Sequence, residues 1–178
     1  MSLYIQEAFT LFVGDDGNDN SKHLNLESIK LPTLEENSAT HFAGGAIGEI
    51  LIGNLGLKAL DVTFKVKGYD PQIMRQFGLG GANSLPFTCY GAVRDKKGGG
   101  LIELKSVMRG RLGKLEGDEL RRAEAIGHDH MIHEVMHYEL WWGQKELYYY
   151  DFFASDWRVD GVSQNADIRA MLRIPGAS

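Results

Sequence analysis

A single cysteine, Cys89, is all the thiol this chain carries. It excludes an intrachain disulfide, and one thiol cannot anchor a zinc cluster by itself, so cysteine usage gives no sign of secretion. Positive charge is also short: 19 Lys and Arg stand against 24 Asp and Glu, a formal net charge of -5. A surface that wraps nucleic acid by neutralising phosphates needs a basic stripe, and a mildly acidic one repels it. Long apolar runs are missing too, since no stretch approaches the ~20 residues of a membrane helix. The opening Met1-Ser-Leu-Tyr-Ile-Gln-Glu7 lacks the basic and apolar regions of a signal peptide, so the expectation is cytosolic synthesis without membrane insertion. Internal repeats, linkers and low-complexity tracts are absent as well. One domain over residues 1–178 is the economical reading.

What is present is a folded, strand-rich chain. An apolar fraction of 43% and a charged fraction of 24% are ordinary for a globular protein, and 178 residues suffice to bury roughly 70% of the unfolded surface. Leu57 to Lys67 alternates cleanly, with Leu60, Val62, Phe64 and Val66 on one face and Asp61, Thr63, Lys65 and Lys67 on the other. That is a half-buried antiparallel strand. Similar strands are expected over residues 8–13, 87–94 and 101–112, the last two joined by the lysine and glycine tip at residues 95–100. A tight hairpin at Gly143-Gln144 joins strands over residues 130–142 and 145–153. Residues 24–36 and 46–53 flank Ala43-Gly44-Gly45 and predict an arm hairpin over about 33–52, with Pro32 confining the first strand to an edge. Helices are few. Asp70-Pro71 predicts a short helix over about 71–77 stopped by Gly78, and the apolar spacing of Ile168, Met171 and Leu172 predicts another over about 164–172. Residues 118–126 fit a helix or a charged loop equally.

Residues 128–137 invite a metal site. On a strand, His128 and His130 share a face with Ile132, Glu134 and Met136, while His133 and His137 share the other, so four histidines cannot hold one ion. His128-x-His130 followed by Glu134 resembles half of a cupin motif, which makes a cupin-like metal-dependent enzyme the alternative function. The resemblance is partial: Arg122 stands where the motif has a glycine, Gly143 comes late, and no second half follows. Solvated or interface histidines are the favoured reading. Asp16-x-Asn18-x-Asn20 with Glu27 imitates a calcium loop, but Ser21 replaces its turn glycine. Gly78-Leu-Gly80-Gly81-Ala-Asn83 follows a helix where a dinucleotide fingerprint follows a strand. No nucleophile elbow is present. The expectation is therefore no enzyme, no metal and no cofactor. Long hairpins without a pocket signature leave strand edges that template pairing with other chains.

A set of landmarks then runs in order along residues 8–173. They are Leu31-Pro-Thr-Leu34, Ala43-Gly44-Gly45, Gly56-Leu57, Phe77-Gly-Leu79, Val107-Met-Arg-Gly-Arg111, Tyr138-x-Leu140, Asp151 and Val159-Asp-Gly-Val162. Together they resemble the tail tube proteins of contractile-tailed phages and R-type pyocins. The resemblance implies a mainly β subunit, a two-sheet antiparallel β-barrel or sandwich with a short helix and extended hairpin arms, that self-assembles into stacked hexameric rings. The tube encloses a conduit through which DNA passes without specific binding, which suits the acidic balance. Implied partners are further copies of the chain, the sheath, and the tape measure, baseplate and terminator proteins. The implied location is the virion or a phage-tail-like particle, assembled in the bacterial host cytoplasm. The expected assembly residues are Phe42, Ala43, Gly44, Gly45, Ala46 and Ile47 of the arm, with Trp141 and Trp142. The histidine strand and the tryptophan pair are departures from the family's landmarks.

Overall fold

The computed structural model describes residues 2–17, 20–79 and 84–175. In chain order the strands are β1 (Tyr4–Val13), β2 (Leu26–Lys30), β3 (Ala39–His41), β4 (Ile50–Ile52) and β5 (Val62–Lys67), then helix α1 (Pro71–Met74). There follow β6 (Leu85–Asp95), β7 (Leu101–Gly117), β8 (Gly127–Trp142), β9 (Lys145–Asp151), β10 (Asp156–Val159), β11 (Val162–Ser163) and helix α2 (Ala166–Met171). The Asn18 position of the calcium-like loop and most of the glycine cluster at 78–83 lie outside the described residues.

Nine strands form one antiparallel sheet in the order β1-β6-β7-β8-β9-β10-β11, and β8 branches. Its first half, Gly127 to Ile132, carries β5 and then β2, while its second half, from His137, carries β9. Mainly antiparallel β structure is thus as expected, but the sheet is not closed into a barrel. It is strongly curled instead. Tyr4 on β1 and Trp142 on β8 stand three strand spacings apart, about 14 Å in a flat sheet, yet their rings meet edge to face with centroids 5.1 Å apart. The curl encloses Leu11, Val62, Phe64, Phe87, Met108, Ile132 and Tyr138, all buried. A bridge between Phe12 and Ser21 touches the outer edge of β1, and no strand pairs along it among the described residues.

Several expected elements are shorter in the structure, for identifiable reasons. The strand expected over residues 24–36 pairs only from Leu26 to Lys30. Beyond it Pro32 offers no N–H to a ladder, and Leu31 and Leu34 instead pack against the core. The strand expected from Leu57 starts at Val62, after which Val62, Phe64 and Val66 are buried as the alternation predicted. Helix α1 is one turn, begun by the Asp70 carboxylate, which accepts from the backbone N–H of Gln72 and Ile73 at 3.1 Å each. Its other oxygen meets Lys22 Nζ at 3.0 Å, so the helix is pinned to the connection after β1. The segment 118–126 is neither helix nor strand.

β8 departs most from simple alternation. Arg109 pairs with His137 and Arg111 with His133, so the strand bulges between them. Glu134 sits at the bulge with φ +54, exposed to solvent, and the inward parity shifts from Ile132 to Val135. Gly110 of β7 makes the bulge possible. A Cβ there would lie 2.7 Å from Ile132 Cγ2 and 2.8 Å from the carbonyl oxygen of His133. The shared face expected for His128, His130 and Glu134 is therefore wrong, because one left-handed residue re-aims everything after it.

Candidate assembly surface

β3 and β4 form a two-stranded hairpin apart from the main sheet, with Ala39 opposite Ile52 and His41 opposite Ile50. A turn closes above them, in which the Ala46 N–H donates to the Ala43 carbonyl at 2.9 Å. Every residue of both strands is exposed. At the root the chain is stapled: the Asn54 N–H donates to Glu36 Oε2 at 2.8 Å, and Asn37 N–H to the Gly56 carbonyl at 2.7 Å. The arm's side chains are nonetheless apolar. Ile47 is fully exposed, Leu51 is 71% exposed, and Phe42 and Ile50 are about 60% exposed. Successive residues of a strand face opposite sides, so Ile50 and Ile52 lie on one face and Leu51 on the other. Each face thus presents aliphatic side chains, Ile50 and Ile52 beside His41 on one and Leu51 beside Thr40 on the other.

An isolated two-stranded hairpin of three-residue strands is marginal in water, and contiguous exposed apolar surface of this kind marks a contact site. The expected residues Phe42, Ala43, Gly44, Gly45, Ala46 and Ile47 form the tip, and a Cβ on Gly44 or Gly45 would meet nothing within 4 Å. Sequence reading missed Ile50, Leu51 and Ile52, although three adjacent apolar residues without alternation were the available sign of a two-sided strand. Trp141 and Trp142 are half-buried within the chain. Trp141 Nε1 donates to Glu139 Oε2 at 2.7 Å, and Trp142 packs on Tyr4.

A second apolar surface lies at the C-terminal end. Ile168, Met171 and Leu172 of α2 and its end, whose spacing predicted the helix, are 57%, 82% and 66% exposed. The helix is held by its polar side. The Asp156 carboxylate, 2% exposed, takes Arg169 Nη1 at 3.1 Å, Arg158 Nε at 2.7 Å and the Ser163 hydroxyl at 2.7 Å. Burial acts to raise the Asp156 pKa, and the Ser163 and Arg158 hydrogen bonds with the two guanidinium charges overcome it and hold the carboxyl below its usual range. Ile168 opens onto a cleft shared with Phe152, Trp157 and, from the arm's root, Asn54, Gly56 and Leu57.

The histidines do not converge. His128 and His130 are buried, their ring centroids 6.5 Å apart, with His130 stacked on Phe64 at 4.8 Å and His128 beside Tyr69. Burial pushes the His130 pKa down to about 4, so the ring is neutral at pH 7. Glu134 points away and pairs with Arg111 at 2.9 Å. His133 meets Asp61 at 2.8 Å. His137 lies between Glu139 at 2.9 Å and Asp151 at 3.2 Å, and the Glu139 hydrogen bond, with that of Asp151, raises its pKa against burial. Among the described residues no three His, Cys, Asp or Glu side chains are grouped to hold a metal ion. The cupin trio is not assembled.

Residues 7–172 match the family described as phage tail tube protein FII. The chain belongs to that family. As a tail tube protein it is a structural tube subunit, a component of a phage tail or tail-like particle. Two solved structures are similar to it at low identity. A chain of the sheath-tube complex of an extracellular contractile injection system, PVC, in the extended state aligns with a TM-score of 0.49 and 9% identity, covering 70% of this chain and 82% of that one. A chain from the sheath/tube terminator of the same kind of system aligns with a TM-score of 0.48 and 12% identity, covering 72% and 90%. No curated protein matches the chain.

Proposed function

We propose that this tail tube protein forms hexameric rings that stack into the hollow inner tube of a contractile phage tail or tail-like particle, with the arm at residues 39–52 as a principal contact between subunits. The observation that carries the reading is the arm, exposed on both faces with aliphatic side chains on each and marginal in water until covered. The open edge of β1 supports it, since an unpaired ladder is a ready site for strand addition from another copy. The role is passive. The tube encloses a conduit for DNA delivery or envelope puncture, a surrounding sheath drives it, and tape measure, baseplate and terminator proteins set its length and ends. Assembly takes place in the bacterial host cytoplasm.

Negative-stain electron microscopy of the purified chain tests this, with a Phe42→Ser, Ile47→Ser, Leu51→Ser variant alongside. The expected result is six-fold rings or tubes for the wild type and a folded, unassembled variant with unchanged circular dichroism. Tubes from the variant at wild-type concentration would remove the arm from the proposal, and a wild type that stays monomeric at every concentration would remove the proposal itself.

A further inference from the structure

The arm and helix α2 are complementary in kind. Between Leu31 and Leu57 the chain has no lysine or arginine, and beyond the staples at Glu35 and Glu36 its one carboxylate is Glu49, set beside the apolar run Ile50-Leu51-Ile52. At α2 the outward stripe of Ile168, Met171 and Leu172 ends at Arg173, which is exposed and makes no ion pair among the described residues. Arg173 also stands where a helix end favours glycine, one residue past the C-cap Leu172 with φ +54. A long cation at a left-handed position costs stability that glycine would not. The position is thus occupied by charge at the expense of local backbone ease.

We infer that the arm of one copy packs across the outward face of α2 on another copy, apolar stripe on apolar stripe, with Glu49 meeting Arg173. This rests on the tube reading above and names its contact. Neither surface is satisfied within the chain, since its own arm leaves both exposed. Because arm and α2 are different patches, the contact is heterologous and propagates from copy to copy, closing a ring or extending a stack. The cleft beside Ile168 is shared with the root of the receiving copy's own arm. An incoming arm therefore lies next to the point from which the next arm departs, and the arms form a continuous layer. Charge complementarity selects a second copy as the occupant: a segment without lysine or arginine, whose acid outside the staples is Glu49, meets a stripe that ends at Arg173, with the helix's own acid, Asp167, at its opposite end.

Charge exchange tests the inference. The critical concentration for tube formation, read by pelleting and electron microscopy, is expected to rise about tenfold for Glu49→Arg and for Arg173→Glu alone, and to return towards wild type when both are combined. Arg173→Gly is expected to leave the monomer's melting temperature unchanged or higher while raising the critical concentration. Mixed Ile47→Cys and Met171→Cys chains, each in a Cys89→Ser background, are expected to form a disulfide-linked dimer under mild oxidation only when assembled. Single variants that assemble like wild type, a double variant no better than the worse single, or assembled tubes that form no such cross-link would each overturn the contact; the last would leave α2 to another partner such as a sheath. Failure of wild type to form any tube is a separate result, because it strikes the tube reading first.

Discussion

Replacing His130 with phenylalanine should flatten one defined part of the protein's acid sensitivity. The ring is 3% exposed, stacked on Phe64, and its Nδ1 has no hydrogen-bond partner. Burial, reinforced by the neighbouring His128 and opposed by Asp129 and Asp70, lowers its pKa from 6.5 to about 4. Between those values the unfolded chain binds a proton that the folded chain refuses, so stability falls as pH drops through about 6.5 and the loss is complete near 4. At 1.36 kcal/mol per pKa unit this amounts to about 3 kcal/mol. Other groups move too. His137, raised by its carboxylate neighbours, gains stability in acid, and the lowered Asp70, Glu139 and Asp156 lose it at lower pH. The difference between wild type and His130→Phe isolates the one ring. Urea unfolding followed by tryptophan fluorescence, below the concentration of assembly, at pH 7, 5.5 and 4.5 reads it. The variant should match or exceed wild type at pH 7, because a buried polar atom without a partner is removed, and should lead increasingly as pH falls. A difference that stays constant from pH 7 to 4.5 would refute the reasoning and show that the folded state accepts the charge.

Gly110→Ala should destabilise by about 1–3 kcal/mol, lowering the melting temperature by about 2–4 °C per kcal/mol for a chain of this size, because its Cβ would meet the His133 carbonyl at 2.8 Å. Gly100→Ala, where nothing lies within 4 Å, should be near neutral in the same scan, and equal shifts would contradict the bulge geometry. Cys89 is buried, and burial pushes its thiol up to about 11. It should therefore resist Ellman's reagent at pH 8 in the native state and react at once in denaturant, whereas fast native labelling would place it at a mobile surface.

The strands that sequence made legible are those with one wet and one dry face. Val62, Phe64 and Val66 alternate with Thr63, Lys65 and Lys67, and the structure buries the first set. Local chemistry also announced the turn at Gly143, whose φ of +59 suits the first central residue of a two-residue hairpin, and the Asp70 cap. Illegible features were those decided between strands. Nothing local in residues 131–137 marks Glu134 as left-handed, because the bulge is set by the close approach of Gly110 on the neighbouring strand β7. Curling of the sheet, with Tyr4 reaching Trp142, is likewise a property of accumulated twist and of register shifts such as those at Gln6/Ala8 and Arg109/Arg111, rather than of any segment. At the candidate site, the arm's tip was visible as small residues between apolar ones. The direction of α2 was not: the spacing of Ile168, Met171 and Leu172 is that of a core helix, and only the buried Asp156, which holds Arg169, turns the stripe outward.

Covering the arm has a consequence for assembly. Burying Phe42, Ile47, Ile50 and Leu51, all largely exposed, is worth about 1.5–3 kcal/mol each, on the order of 6–12 kcal/mol per arm. Bringing two chains together costs about 4–15 kcal/mol in lost freedom before any contact is rewarded. One arm in one socket is thus close to balance, and a pair of subunits is weak. In the proposed ring or stack, however, each added subunit would both give an arm and receive one, while its freedom is lost only once. Contacts that fail in isolation therefore succeed together. An arm this apolar stays tolerable on a monomer because it is small and the pairwise contact is weak, and on the proposed contact the same weakness favours the tube over the dimer as the state in which the arm is covered.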